Sequence, residues 1–273
     1  MRFVTAVFCI FFTVTINAAS VTRVISLAPH ATEIAFAAGL GDKLVAVSAH
    51  SDYPPEAQTL EKVSNYQGIK IERIIALQPD LLIAWPTGNP IGELKKLEQF
   101  GLTIYYSQAN SLEDIATSIE QLSQYADDPS IGQRAAADFR QQLAILKTNY
   151  DTQSKVRYFY QLSQQPIITV AQNKWPSEVF RFCGGVNVFA NSEAPYPQVG
   201  LEQVIVQNPD VIFTSQHVIA DTNMWDKWRE QLSAVQHQFV WSVNSDWINR
   251  PTPRTLNAIK QVCEHFETVR QKG

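Results

Sequence analysis

A repeat constrains this chain more than any other feature. Residues 71–83 read IERIIALQPDLLI and residues 201–213 read LEQVIVQNPDVIF, and the two align without a gap at an offset of 130. Glu72 falls on Glu202 and Pro79-Asp80 on Pro209-Asp210, and apolar residues meet apolar residues at 71, 74–76 and 81–83. The same offset sets Tyr66 on Tyr196. Each copy reads as a short amphipathic helix stopped near a proline, which has no backbone N–H to continue it, followed by a buried strand at 81–84 or 211–214. A chain that uses this unit twice is expected to build two similar α/β halves.

The copies extend. Residues 23–27 and 155–160 read as strands. Residues 32–38 and 178–183 read as short helices ending at Gly39 and at Gly184-Gly185. Apolar runs at 102–106 and 239–243 follow late in each half, and strands alternating with helices predict parallel-type layering. Between the halves Ala136, Phe139, Leu143, Leu146 and Tyr150 recur at steps of three and four, one apolar stripe on a polar segment that follows Pro129. Such a helix is a stiff connector, so limited lobe motion is expected. The expected fold is therefore α/β: two similar α/β lobes joined by a single long helix, with a ligand cleft between the lobes. The divisions are an N-terminal lobe at 20–128, a connecting helix at 129–152 and a C-terminal lobe at 153–273.

Residues 1–19 read as a signal peptide. Met1-Arg2 is a positive start, 3–16 is an apolar run too short to span a bilayer comfortably, and Asn17-Ala18-Ala19 offers cleavage after Ala18 or Ala19. Removal takes one base from 22 against 26 acids, so the charge of −4 becomes −5. It also takes Cys9 and leaves Cys183 and Cys263, an even count that predicts one disulfide in an exported chain. With 45% apolar residues the chain has ample material for a core, which excludes a largely disordered protein. No basic run exceeds a pair, so nucleic acid is not an expected partner.

The five histidines, His30, His50, His217, His237 and His265, form no metal-ligand spacing, and no nucleophile elbow, Walker loop or dinucleotide fingerprint is present. Two lobes without a catalytic constellation point to a binder with its ligand between them, and no catalytic or metal-binding residue is nominated. Candidate cleft residues lie just after strands. Trp85 follows the strand at 81–84, Tyr66 and Tyr196 sit beside turn-prone residues, and Asp246-Trp247-Ile248-Asn249-Arg250 follows the last strand. Aromatic faces from both halves and one guanidinium fork suit a large, planar ligand rich in amides or bearing phosphate.

The segments SLAPHATEIAFAAGL, SDYPP (51–55), ERI…L-x-PD, FCGGVNVF, PYPQV and SDWINRP together resemble the periplasmic cobalamin (vitamin B12)-binding proteins of ABC importers, over essentially the whole mature chain. The resemblance implies a monomeric, non-enzymatic periplasmic receptor that holds cobalamin as transported ligand, not as a permanent cofactor. Its implied partner is an inner-membrane ABC permease with its ATPase subunits. It assigns Tyr66, Trp85 and Tyr196 to an aromatic cleft and Asp246, Trp247, Ile248, Asn249 and Arg250 to a second-lobe cluster. It makes Cys183 and Cys263 the family's disulfide pair and puts docking glutamates at Glu72 and Glu202. Tyrosine stands at 66 and 196 where enteric-type members carry tryptophan. His50 stands where a pocket tyrosine is expected, either bonding a corrin side chain or approaching the cobalt's upper axial position. Two other readings stay open: a siderophore or haem receptor of the same fold, and an exported metal-dependent hydrolase.

Overall fold

In the computed structural model, which describes residues 21–150, 154–171, 174–216 and 223–272, the repeat becomes two separate sheets. The signal-peptide reading and His217 fall outside the described residues. The first half runs β1 (Val24–Ser26), α1 (Pro29–Ala37), β2 (Leu44–Ser48), β3 (Glu61–Asn65), β4 (Gly68–Ile69), α2 (Ile71–Leu77), β5 (Leu81–Ala84), α3 (Ile91–Gln99), β6 (Ile104–Tyr106) and α4 (Leu112–Ser123). Its sheet has the order β4-β3-β2-β1-β5-β6 and is parallel except for the β3–β4 hairpin. After α5 (Ser130–Asn149) the second half runs β7 (Val156–Gln161), β8 (Ser163–Gln164), β9 (Ile167–Ile168), α6 (Ser177–Phe182), β10 (Gly185–Asn187), α7 (Leu201–Gln207), β11 (Val211–Ser215), α8 (Ser233–Gln236), β12 (Val240–Val243), α9 (Ser245–Ile248) and α10 (Thr255–Lys272). Its main sheet, β10-β7-β11-β12, is parallel throughout, and β8–β9 is a small antiparallel hairpin.

The repeated Pro-Asp does more than stop a helix. Helices α2 and α7 each end in a left-handed residue that is not glycine, Gln78 (φ 47°) and Asn208 (φ 40°). The aspartate two residues on then turns back. Asp80 accepts from the backbone N–H groups of Thr22 (2.7 Å) and Arg23 (2.9 Å), and Asp210 accepts from that of Arg157 (2.7 Å). Arg23 donates to the Leu77 carbonyl (2.7 Å) and Arg157 to the Gln207 carbonyl (2.6 Å), each placing a cation at the negative end of a helix. In both halves this pins the first strand beside the strand that follows the repeat helix, β1 beside β5 and β7 beside β11. The arginines lie 134 residues apart, not 130, so the gapless alignment does not reach them.

Helix α5 buries Gly132, Ala136 and Phe139, while Leu143, Leu146 and Tyr150 pack half-buried along the same stripe. Gly132 allows a close approach: a Cβ there would stand 2.5 Å from the Ser123 Cβ of α4 and 3.1 Å from the Ala38 Cα. One apolar core thus continues from Val24, Ile34 and Ile119 through Ala136 and Phe139 to Tyr158, Phe180 and Phe266 in the second half. The connector is part of the core of both lobes, so a hinge there would have to open packed apolar surface.

Cys183, at the end of α6, and Cys263, in α10, form a disulfide, and both are fully buried. It closes a loop with a sequence separation of 80. On the chain-entropy model such a loop stabilises by about 4 kcal/mol. The double substitution Cys183→Ala/Cys263→Ala is expected to lower unfolding stability by about that amount in urea titration, and the oxidised, unfolded mature protein should titrate no free thiol.

Candidate ligand-binding cleft

Parallel strands present their carboxyl-terminal ends, and the loops that follow them, along one edge of a sheet. Across the first sheet in the order β3-β2-β1-β5-β6, that edge carries Tyr66, His50, His30, Trp85 and Gln108. The second sheet offers Leu162 after β7 and Asn249, Arg250 and Pro251 beyond β12. These edges face each other across a cleft of about 600 Å³, lined from one side by Pro29, His30, Trp85, Thr87 and 108–110, and from the other by Leu162, 174–176, Pro195, Tyr196 and 249–251.

Local structure positions each of these side chains. Asn89 accepts from the Trp85 backbone N–H (2.7 Å) and donates to the Leu27 carbonyl (2.9 Å), tying the loop after β5 to the end of β1. Gly88 leaves room for the indole: a Cβ there would lie 1.9 Å from the Trp85 ring. Opposite, the Trp175 indole N–H donates to the Ile248 carbonyl (2.8 Å) and Tyr196 donates to the Trp175 carbonyl (3.3 Å). Asn249 accepts from the buried Tyr160 hydroxyl (2.9 Å) and donates to Ser215 (3.2 Å). Burial pushes the Tyr160 phenol up, so it remains a donor.

Ion pairs cross between the lobes beside the cleft. Glu33 of α1, its side chain 2% exposed, accepts from Arg254 through both oxygens (2.5 and 2.8 Å) and meets Arg250 at 3.4 Å. Arg250 also pairs with Asp52 (2.6 Å) and with Asp246 (3.0 Å), and Arg254 stacks over the Tyr53 ring at 4.3 Å. Burial alone would raise the Asp52 carboxyl. The Arg250 hydrogen bond and charge, with Arg254 farther off, outweigh it and hold the carboxyl below its ordinary value. His30 lies in the wall itself, 5% exposed, edge-on to Trp85 with ring centroids 5.3 Å apart. Burial lowers its pKa to about 4, against a backbone hydrogen bond to Ser107 and with the help of the Arg250 charge, so the ring is neutral near pH 7.

Of the residues singled out in the sequence, Trp85, Tyr196, Asn249 and Arg250 line this cleft, and His50, Tyr66, Asp246, Trp247 and Ile248 do not. Ile248 is fully buried in the core and Trp247 packs half-buried against it, because the one-turn helix α9 turns both inward. Asp246 spends its carboxylate on Arg250, and Arg250 in turn is an ion-pair centre rather than a free fork. His50 and Tyr66 are exposed, His50 with φ 61° and Tyr66 at 89% in the β3–β4 turn, on the stretch of edge beyond β1. The repeat makes Tyr66 and Tyr196 equivalent, yet only Tyr196 reaches this wall. Sequence reasoning passed over His30, Glu33, Asp52, Trp175 and Arg254. Three of them stand inside SLAPHATE and SDYPP, where the signal was present without an assignment. Glu72 and Glu202 are exposed in the first turns of α2 and α7, outside the cleft.

Residues 24–240 match the family model described as periplasmic binding protein. The chain is 70% identical over 252 residues to the vitamin B12-binding protein of Vibrio parahaemolyticus, covering 92% of each chain. It superposes on the crystal structure of the periplasmic vitamin B12 binding protein BtuF of Vibrio cholerae with a TM-score of 0.89 at 61% identity, covering 92% of this chain and 98% of that one. The periplasmic heme-binding protein RhuT of Roseiflexus sp. RS-1 shares the fold, with a TM-score of 0.79 at 22% identity over 91% of this chain and 99% of that one.

Removing one partner of a buried ionic cluster leaves the others without their counter-charge, at a cost of about 3–5 kcal/mol. Glu33→Ala should therefore destabilise the chain by about 3 kcal/mol in urea unfolding. Small-angle scattering of the variant should report a wider separation of the lobes.

Proposed function

We propose, for a chain that belongs to the periplasmic binding protein family, that it captures cobalamin in the cleft between its lobes and delivers it to an ABC importer in the inner membrane. The observation that carries this reading is the identity along nearly the whole chain with vitamin B12-binding proteins. The protein works in the periplasm, after loss of residues 1–19. It acts as a monomeric receptor and catalyses nothing; the lobes divide at 20–128 and 153–273, with 129–152 between them.

The cleft has the chemistry that a corrinoid asks for. Indole and phenol faces from Trp85, Trp175 and Tyr196 exclude water from the macrocycle, while Asn249 and the backbone groups around it address its amide rim. Arg250 and Asp246 contribute by holding the second-lobe loop against Asp52 and Glu33. Cavities of about 300–1,000 Å³ enclose drug-sized ligands, and cobalamin is larger, so part of it projects from a cleft of about 600 Å³. His50 and Tyr66, on the same sheet edge, meet that projecting part.

Calorimetric titration with cyanocobalamin tests the reading directly, with one molecule bound per chain as the expected result. Trp85→Ala removes a large apolar face worth about 2 kcal/mol, so the Kd should rise roughly thirty-fold. Absence of any binding by the parent protein would reject the assignment.

Glu72 and Glu202 stand at matching positions of the repeat, one per lobe, and each is exposed. Paired acids of this kind meet basic patches on the two subunits of a symmetric permease, with a salt-dependent association rate. The double variant Glu72→Lys/Glu202→Lys should bind cyanocobalamin as the parent does and lose docking and transport in reconstituted vesicles. Normal docking at low salt would exclude this role.

A further inference from the structure

The chain carries 26 acids against 22 bases, yet among the described residues no carboxylate lines the cleft. Three lining side chains can carry a positive charge: His30, Lys174 and Arg250. His30 is neutral near pH 7. Arg250 and Arg254 together face Glu33, Asp52 and Asp246, three carboxylates for two guanidinium groups, so that cluster has no positive charge to spare. Lys174 is different. Its ammonium has no ion pair and no hydrogen bond among the described residues. A lysine without a partner is ordinary on an open surface. On the wall of a cleft lined by no acid it leaves a surplus cation, and low-dielectric walls focus its field on whatever enters.

The backbone beneath this cation is held in place. Lys174 donates its N–H to the Ser177 hydroxyl (3.2 Å), and its carbonyl accepts from the Ser177 backbone N–H (2.7 Å) and from the same hydroxyl. Ser177 opens α6, and the neighbouring Trp175 indole is tied to the Ile248 carbonyl at the end of α9 (2.8 Å). The loop is thus anchored at both α6 and α9, while the lysine side chain itself is exposed at the rim. A four-carbon stem on a fixed base carries a compact point charge that suits a phosphate oxygen at the edge of a ligand.

The inference rests on the proposed function. The side chains at the edge of cobalamin are neutral amides, and its one ionised group is the phosphodiester that joins the nucleotide to the ring. We infer that Lys174 is a specificity-determining contact that pairs with this phosphodiester and so favours corrinoids that carry their nucleotide over those that lack it. The aromatic faces and Asn249 address the ring, which complete and incomplete corrinoids share, and cannot tell them apart. A cation without a partner on the opposite rim can, because only the complete ligand brings the counter-charge.

The test compares the parent protein with Lys174→Gln and Lys174→Arg by calorimetry, at low and at high salt. The ligands are cyanocobalamin and dicyanocobinamide, which lacks the nucleotide and its phosphate; both are uncharged overall. Lys174→Gln is expected to raise the cyanocobalamin Kd roughly five-fold at low salt and to leave the dicyanocobinamide Kd unchanged, a coupling that packing alone does not produce. Lys174→Arg keeps the charge and should stay within about two-fold of the parent. High salt should remove most of the difference between the parent and Lys174→Gln. Parental cyanocobalamin affinity in Lys174→Gln, an equal loss for both ligands, or an equal loss in Lys174→Arg overturns the inference while the cobalamin reading stands. So does a difference that high salt leaves intact, a readout that needs cyanocobalamin alone. A parent protein that binds no cyanocobalamin overturns both.

Discussion

One buried carboxylate governs the geometry of the cleft. Glu33 leaves the first helix of one lobe and is shared by Arg250 and Arg254 of the other, with its own side chain almost wholly removed from water. Charges so placed are tolerated only while each keeps its partners. The ion cluster therefore fixes the spacing and angle of the lobes on its side of the molecule. The loop that follows β12 inherits its position from this cluster, because Arg250 is at once an ion-pair centre and part of the cleft wall.

The connecting helix fixes the other side by a different force. Its apolar stripe lies within a core that runs unbroken from one lobe to the other, and Gly132 brings its backbone close to α4 and α1. A hinge would have to open that core and expose apolar surface to water. Ionic specificity at the cleft and apolar continuity along α5 leave a receptor whose walls are set before the ligand arrives. Preorganisation of this kind reduces the conformational entropy lost on binding.

The duplication preserved scaffolding and let the chemistry diverge. Asp80 and Asp210 pin equivalent strands, and Arg23 and Arg157 close equivalent helices, with nearly the same bonds in each lobe. The strand edges above them differ. One carries a neutral histidine against a tryptophan, and the other carries an asparagine wired to a buried tyrosine and serine. The sheets differ too, six strands against four, because the first half adds the β3–β4 hairpin and the second keeps its hairpin apart.

What the linear pattern determined is the part of the structure governed by local periodicity and by chain covalency. Helix faces, the strand after each proline, the stripe on α5 and the two cysteines available for pairing are all properties of neighbouring residues or of simple counting. Trp85 was legible because position after a strand places a side chain on the sheet edge, and Tyr196 because the repeat and its flanking prolines marked a turn. Trp247 and Ile248 were not, because whether α9 turns a residue toward ligand or core depends on the packing beneath it. The partnership of Glu33 with Arg254, 221 positions away, was equally invisible. So was the missing counter-charge of Lys174: an ion pair absent among the described residues is defined by every neighbour at once. Only the tertiary structure decides such things, because desolvation and charge pairing depend on distances in space that the order of residues does not encode.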